Sequence, residues 1–190
     1  GIDELANQVY NHYRSLAKDC LGLNISTNQI LSIDEFVLQY DANAMAAPLN
    51  TTFQYREKEK IEIINAIEKN PIVVVTGKAG VGKTRLVLEI IREIASNKGY
   101  KLLCVKNNNL GLYDDLVSAT EQTGKYLFFV DDANELADLK QILEYTTKGY
   151  LGYEVKIIVT VRDYAKEKVL QEVKEYSFTQ IIEVNSFADD

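Results

Sequence analysis

The chain has 190 residues, 46 % of them hydrophobic, which is enough for one well-buried α/β domain and a small appendage. Its formal net charge of −7 argues against a surface that as a whole binds nucleic acid or an anionic membrane. With two cysteines and one histidine, neither a disulfide framework nor a zinc site is expected, and a reducing cytoplasm is the simplest setting. The sequence shows no signal peptide and no apolar stretch of membrane-spanning length. Membrane partners and direct nucleic-acid binding are therefore not expected.

Residues 1–50 are predicted to form a helical N-terminal segment or linker. Between positions 3 and 18, apolar residues recur at helical spacing, namely Leu5, Val9, Tyr13, Leu16 and Ala17. A second helix is predicted after Ser32, which with Glu35 makes a capping box ahead of the apolar residues Phe36, Val37 and Tyr40. Three roles stay open for this segment: a linker from an effector domain, a helical interaction arm, or packing for the core.

A third helix is predicted between this segment and the first strand. Residues 51–54 are short and extended, and the helix follows over residues 56–69. It ends at Asn70, because the residue before a proline disfavours helical backbone. The residues of this helix that are expected to face inward are Ile61, Ile64, Ala66 and Ile67.

Beyond residue 70, strands and helices alternate. The predicted strands are 71–76, 100–106, 125–131, 155–161 and 178–184. The predicted helices are 83–97, 113–122, 135–147 and 165–175. Continuous apolar strands are typical of a sheet that is covered by helices on both faces. The alternation therefore predicts an α/β fold with a five-stranded, mostly parallel sheet flanked by helices.

The most specific motif joins the first predicted strand to the helix after it. Residues 77–84 fit the pattern G-x-x-x-x-G-K-[ST] at every fixed position, between a β-branched strand and a helix, as the pattern requires. Glycines let the backbone approach a polyphosphate closely and take positive φ angles. The free N–H groups of the following helix N-terminus attract an anion. The sequence therefore predicts a P-loop that binds a nucleoside triphosphate.

The residues of the loop have distinct expected roles. Lys83 is expected to reach the β- and γ-phosphates, and the Thr84 hydroxyl to coordinate Mg²⁺. No Asn-Lys-x-Asp segment follows to read guanine, so ATP or ADP is the expected ligand. The expected nucleotide-binding residues here are Gly77, Lys78, Ala79, Gly80, Val81, Gly82, Lys83, Thr84 and the adjacent Arg85.

Two adjacent carboxylates end the most apolar strand. In an open α/β sheet, ligands bind at the carboxyl ends of the strands, so Asp131 and Asp132 should face the phosphates. Asp131 is expected to hold Mg²⁺ or its water shell, as a Walker B aspartate does. Asp132 is expected to orient or deprotonate the attacking water. The alternative for Asp132 is a cap for the next helix.

A threonine and an arginine end the fourth predicted strand. Thr160 and Arg162 are expected to face the γ-phosphate, where a guanidinium stabilises charge that develops in phosphoryl transfer. The expected catalytic residues are therefore Lys83, Asp132 and Arg162, and the expected metal ligands are Thr84 and Asp131. The alternative for Arg162 is a pair with Asp163 or a cap on the sheet.

Together the P-loop, the double acid and the T-x-R ending resemble the P-loop ATPases of the additional-strand catalytic-acid division, most of all the STAND signal-transduction ATPases. The resemblance covers residues 51–190, the expected core domain. Tyr55 stands where that class has the glycine of a G-R-x-x-E motif, and Glu59 fills its acidic position. The resemblance implies that Thr52, Phe53 and Arg56 lie near the base and sugar of the nucleotide.

The resemblance also implies a function. Such a core would be the ATP-binding, slowly hydrolysing switch module of a larger signalling or defence protein, with effector and sensor domains on either side and self-assembly in the full-length protein. The class follows its core with a helical lid and a winged-helix domain. This sequence begins at Gly1 without a methionine and ends at Asp190 after the last predicted strand. It is therefore expected to be a piece of a longer protein without those two domains.

Three other functions stay open on the sequence alone. An AAA+-type remodelling or nucleic-acid-linked ATPase core has the same motifs, and a lid with a sensor arginine would distinguish it. A small-molecule kinase would need an Arg-rich lid over a phosphate acceptor. A binding scaffold with a vestigial site is disfavoured by intact Lys83, Thr84 and Asp131.

Overall fold

The computed structural model of the chain describes residues 9, 12–13, 16–17, 20–22, 29–43, 56–106, 112–120, 124–136, 139–147, 153–176 and 179–186. Its strands are β1 (Ile30–Leu31), β2 (Ile72–Gly77), β3 (Lys101–Val105), β4 (Gly124–Val130), β5 (Tyr153–Arg162) and β6 (Thr179–Glu183). Its helices are α1 (Ile33–Asn43), α2 (Glu57–Lys69), α3 (Lys83–Lys98), α4 (Tyr113–Ala119), α5 (Leu139–Thr147) and α6 (Lys166–Lys174). Each strand and helix predicted beyond residue 55 is present, with bounds that differ by a few residues.

The strands form one six-stranded sheet in the order β1-β3-β4-β5-β2-β6. β1 pairs antiparallel with β3, and all other neighbours are parallel. The predicted α/β fold with a mostly parallel sheet is confirmed, but the sheet has six strands where five were predicted. The additional strand is β1, which is too short for its two residues to show an alternating pattern in the sequence.

The sheet buries an apolar cluster on each face. One cluster joins alternate strand residues to α4, α5 and α6, and the other joins the remaining strand residues to α1, α2 and α3. Phe128 and Phe129 are both fully buried and belong to opposite clusters. Cys104 is fully buried on the α3 side, as predicted, and burial raises the pKa of its thiol to about 12. Both faces of the sheet are thus covered, as the continuous apolar strands require.

The inward face of α2 differs from the prediction at one residue. Ile61 is 57 % exposed, whereas Ile63 is fully buried together with Ala66 and Ile67. Residues 63, 66 and 67 follow the helical i, i+3, i+4 spacing, which places Ile61 on the other side of the helix. Ile64 is partly buried against the same cluster.

The helix predicted over 135–147 is interrupted. A 3₁₀ turn spans Ala133–Glu135, and the regular helix α5 starts at Leu139. Within the predicted helix at 3–18, the described positions are helical, and Val9, Tyr13 and Leu16 are exposed. The extended segment predicted at 51–54 lies outside the described residues. No described helix is long and apolar enough to cross a membrane.

Strand β1 and helix α1 pack onto the edge of the sheet. The predicted capping box is present, since the Ser32 amide and hydroxyl donate to the Glu35 carboxylate at 2.8 and 2.7 Å, and the Glu35 amide donates to the Ser32 hydroxyl at 3.3 Å. The Gln29 amide donates to Asp115 of α4 at 2.8 Å. Residues 29–43 are therefore built onto the sheet, and the division of the chain at residue 50 stays a prediction.

Candidate functional site

The strand order brings the predicted site residues to one end of the sheet. β5 lies between the P-loop strand β2 and the acid-bearing strand β4, and this inserted strand is the feature for which the additional-strand division is named. Because these three strands are parallel, their carboxyl ends meet beside the start of α3. The loop after β2, the two acids after β4 and Arg162 at the end of β5 therefore face a common space.

The backbone of the P-loop has the shape of an anion cradle. Gly80 and Gly82 have φ angles of 78° and 88°, a region that L side chains rarely adopt. Helix α3 begins at Lys83, and no side chain caps its N-terminus. Its first N–H groups are thus available to an anion such as a phosphate. Lys78, Ala79 and Gly80 are exposed at this mouth, whereas Val81, Gly82 and Arg85 are partly buried.

Gly77 is fixed by a contact that its motif does not reveal. Its φ is 154°, and a Cβ added there would clash with the carbonyl oxygen of Val184, just beyond β6. The Val184 amide also donates to the Thr76 carbonyl at 2.8 Å. The chain after β6 therefore lies directly against the first residue of the P-loop, and only glycine leaves room for it.

Lys83 is folded back onto its own loop. Its Nζ donates to the carbonyls of Gly77 and Lys78, both at 2.9 Å, and the residue is only 6 % exposed. Burial lowers the pKa of Lys83, while the nearby charges of Asp132 and Asp131 oppose that shift. The ammonium group is thus held at the cradle by neutral carbonyls, which a phosphate oxygen can replace as a stronger, charge-assisted partner.

One carboxylate oxygen connects the P-loop helix to two strands. Asp131 Oδ1 accepts a hydrogen bond from the Thr84 hydroxyl at 2.7 Å and another from the Thr160 hydroxyl at 2.6 Å. Burial raises the pKa of Asp131, and both hydroxyl contacts oppose the rise because they favour the charged carboxylate. The two predicted metal ligands, Thr84 and Asp131, are therefore in direct contact.

Thr160 has a role that sequence reasoning missed. It was expected to face the γ-phosphate, but its hydroxyl donates to Asp131 and accepts from the Asp132 amide at 2.8 Å. The residue is fully buried. A threonine in the last turn of an apolar strand was a visible signal, but only the pairing of β4 with β5 shows which partner it meets.

Asp132 and Arg162 are paired with each other. Asp132 has a left-handed backbone with φ 44°, and its carboxylate lies 2.7 Å from the Arg162 guanidinium. No side-chain capping bond is made by Asp132 to the 3₁₀ turn that follows, contrary to the alternative of a helix cap. Arg162 also contacts Glu135 at 3.1 Å, whereas Asp163 accepts from the Tyr164 amide. The two predicted catalytic groups thus neutralise one another in this structure.

Arg56 holds the loop from the β6 side. The residue is 7 % exposed, and its guanidinium donates to the Val81 carbonyl at 3.0 Å, the Asn185 carbonyl at 2.8 Å and Glu59 at 2.9 Å. It thereby connects α2, the P-loop and the chain beyond β6. Phe53 and Thr52, which were expected near the base and sugar, lie outside the described residues.

The donor set fits both a polyphosphate and a hard divalent cation. The loop offers backbone N–H groups and the Lys83 ammonium to anionic oxygens. Thr84 and Asp131 offer a hydroxyl and a carboxylate oxygen, the kind of ligand that Mg²⁺ prefers. The arrangement can therefore hold a metal between the start of α3 and the end of β4.

The fold and the site define a P-loop NTPase of the additional-strand division. The model of the family described as Novel STAND NTPase 5 matches residues 49–173, which is more than half of the chain. The chain belongs to this family. The predicted resemblance to STAND ATPases is thereby confirmed, and membership implies nucleotide binding, usually with a divalent metal.

Solved structures share the fold. The chain is similar to Hsp104 in its closed state with ATPγS and FITC casein, at 17 % identity and a TM-score of 0.55, over 82 % of this chain and 30 % of that one. Caenorhabditis elegans PCH-2 matches at 14 % identity and a TM-score of 0.47, over 68 % of this chain and 43 % of that one. A Walker-type ATPase of Pyrococcus abyssi matches at 16 % and 0.46, over 71 % and 54 %. This chain thus spans about a third to a half of their lengths, and no curated protein matches its sequence.

Proposed function

We propose that the chain is the ATP-binding and slowly hydrolysing switch module of a larger STAND-like signalling or defence protein. Family membership supports the nucleotide-binding part of the proposal. The observation that carries it is the shared contact of Thr84 and Thr160 with one oxygen of Asp131, at the start of the P-loop helix. This contact joins the loop to the strands that supply the acid and the arginine.

In the proposed ATP complex, each residue of the cradle has a partner. The loop amides would bind the phosphates, and Lys83 would exchange the carbonyls of Gly77 and Lys78 for a phosphate oxygen. Thr84 and Asp131 would hold Mg²⁺, which when bound neutralises charge on the β- and γ-phosphates. The cost of removing Lys83 from its carbonyls is offset by the charge of the phosphate.

The pairing of Asp132 with Arg162 supports slow hydrolysis. As a general base, Asp132 must reach the attacking water, and Arg162 must reach the γ-phosphate. Both are engaged with one another at 2.7 Å, and Arg162 is also held by Glu135. Hydrolysis therefore requires this pair to separate first. We propose that the separation is the step that the rest of the parent protein controls.

The proposal includes partners and a compartment. The nucleotide is ATP or ADP, and the protein partners are effector and sensor domains of a longer parent chain, with self-assembly in that parent. A reducing cytoplasm is the proposed setting, supported by the free buried thiol of Cys104. The AAA+-type alternative is supported by the likeness to Hsp104, which at 17 % identity concerns the architecture alone.

Titration calorimetry with ATP, ADP and GTP, with and without Mg²⁺, tests the proposed ligand. We expect ATP and ADP to bind more tightly than GTP, and Mg²⁺ to strengthen ATP binding. Tighter binding of GTP would contradict the adenine assignment.

Steady-state ATPase assays combined with size-exclusion light scattering test the proposed slow switch. The 190-residue chain should turn over well below about one ATP per second and stay monomeric. Several turnovers per second, or a ring that forms on nucleotide addition, would point to the remodelling ATPases instead.

A further inference from the structure

Helix α1 places a tyrosine at the proposed metal site. The hydroxyls of Tyr40 and Thr84 share a side-chain hydrogen bond, and Tyr40 lies close enough to Asp131 for the two groups to interact electrostatically. Burial and the Asp131 charge both raise the pKa of Tyr40. Tyr40 precedes residues 49–173, which the family model matches, and belongs to none of the nucleotide-binding motifs in the sequence.

The position of Tyr40 is fixed by the core. Its ring lies against Phe36 one helical turn earlier, with ring centroids 6.1 Å apart. Phe36 is 4 % exposed and meets Phe129 of β4 edge to face at 5.6 Å. Lys106, just after β3, donates to Gln39 of the same helix at 2.6 Å. Because Phe129 and Asp131 lie on the same side of β4, this packing directs the last turns of α1 toward the acid.

The chemistry of the Thr84 hydroxyl allows three partners at once. A hydroxyl has one proton and two lone pairs. The proton is donated to Asp131 Oδ1 at 2.7 Å. One lone pair can then face the Tyr40 hydroxyl while the other stays open to a cation. The Tyr40 contact therefore restricts rotation of the Thr84 side chain without using the metal-facing position.

We propose that Tyr40 is a positioning residue for Mg²⁺, which holds the Thr84 hydroxyl in the orientation that coordinates the metal. This inference rests on the nucleotide site proposed above and extends it to helix α1. Residues 29–43 then form part of the site, which favours the core-packing role among those left open for the N-terminal segment. By linkage, Mg²⁺–nucleotide binding stabilises the docking of α1, just as a docked α1 strengthens metal binding.

The test compares two tyrosine-to-phenylalanine variants of the 190-residue chain. Tyr40→Phe removes the hydroxyl and keeps the ring against Phe36. Tyr145→Phe is the matched control, because Tyr145 makes the same kind of hydroxyl contact with Thr120, in the cluster on the other face of the sheet. ATP affinity is measured by calorimetry over a series of Mg²⁺ concentrations and in EDTA.

We expect Tyr40→Phe to require about 3- to 10-fold more Mg²⁺ for the same ATP affinity, as the loss of one hydrogen bond predicts. ATP affinity in EDTA should equal that of the parent, and Tyr145→Phe should match the parent in both conditions. A merely structural role of Tyr40 would instead weaken binding equally with and without metal. That result overturns the inference.

Lys83→Ala separates failure of this inference from failure of the proposed function. If Lys83→Ala loses ATP binding while Tyr40→Phe keeps the Mg²⁺ dependence of the parent, the nucleotide site stands and Tyr40 has no part in it. If Lys83→Ala binds ATP as tightly as the parent, the nucleotide site itself is wrong, and the role of Tyr40 is wrong with it.

Discussion

The carboxyl and amino ends of the parallel strands use the same kinds of side chain in different surroundings. At the carboxyl end, Lys83 is 6 % exposed and donates to two carbonyls of its own loop. At the amino end, Lys125 leaves 50 % of its side chain exposed while it pairs with Glu154 at 2.9 Å and lies over the ring of Tyr100. Both lysines are fully bonded, but only one is shielded from water.

This difference in burial indicates where polar groups are retained for chemistry. Water and salt screen an exposed ion pair, whose contribution is typically about 0.2–1 kcal/mol. A buried charge is expensive unless a strong partner satisfies it. The carboxyl end keeps Lys83 and Asp131 in such surroundings, and we infer that a ligand compensates for them. Substitutions at the two ends should therefore differ in kind as well as in size.

The largest expected effect is on turnover. Asp132→Asn should slow ATP hydrolysis by the parent protein by about 100- to 10,000-fold, the usual range for a general base, while ATP binding stays nearly intact. Asp163→Asn is the control, since that carboxylate accepts from the Tyr164 amide. Single-turnover assays on the parent protein measure both rates. Unchanged turnover in Asp132→Asn would leave this residue as a partner of Arg162 only.

A smaller effect is expected on metal dependence. Asp131→Asn removes the charge but keeps an oxygen for the hydroxyls of Thr84 and Thr160, so Mg²⁺-dependent ATP affinity should fall by about 10- to 100-fold. Asp115→Asn changes a buried acid that accepts from the Gln29 amide and should leave this dependence unaltered. Calorimetry at several Mg²⁺ concentrations distinguishes them. Equal losses in the two variants would mean that Asp131 acts through stability alone.

The next effect concerns the stability of the carboxyl end itself. Gly77→Ala should lower the free energy of unfolding by about 2–5 kcal/mol, because it combines backbone strain with a clash against Val184. Gly80→Ala shares the positive φ but meets open space, so we expect about 1–2 kcal/mol. Urea unfolding of both variants gives the comparison. A Gly77→Ala variant as stable as Gly80→Ala would contradict the close approach after β6.

The smallest effect is expected at the amino end. Lys125→Ala removes one exposed ion pair and a cation–π contact, so unfolding should change by less than about 1.5 kcal/mol. The change should shrink at high salt, because the charges are screened. Urea unfolding at two ionic strengths measures it. A larger, salt-independent loss would show that this end is not the screened surface described above.

The contiguous part of the site was predictable from the sequence, and the contacts across the sheet were not. The P-loop is a single run of residues whose function requires glycine, lysine and threonine at fixed spacing. Asp131 and Arg162 were found because both end apolar strands. That Thr160 bonds Asp131 depends on β4 pairing with β5, which alternation of strands and helices does not reveal.

Short or mixed elements also escaped prediction for physical reasons. Strand β1 has two residues and therefore no period, and Ile61 was taken as inward because several apolar residues of α2 compete for one face. The contact of Tyr40 with Thr84 joins residues 44 positions apart through the packing of Phe36 on Phe129. A helical pattern in the sequence gives the buried side of α1 but not the strand that it covers.

The most direct test of the central claim compares the two lysines in one assay. ATP is titrated in Mg²⁺ against the parent chain, Lys83→Ala and Lys125→Ala. We expect Lys83→Ala to weaken binding by about 10- to 150-fold, the value of a charge-assisted contact, and Lys125→Ala to bind like the parent. Parent-like binding by Lys83→Ala, or equal weakening of both variants, would contradict an ATP site at the carboxyl end of the sheet.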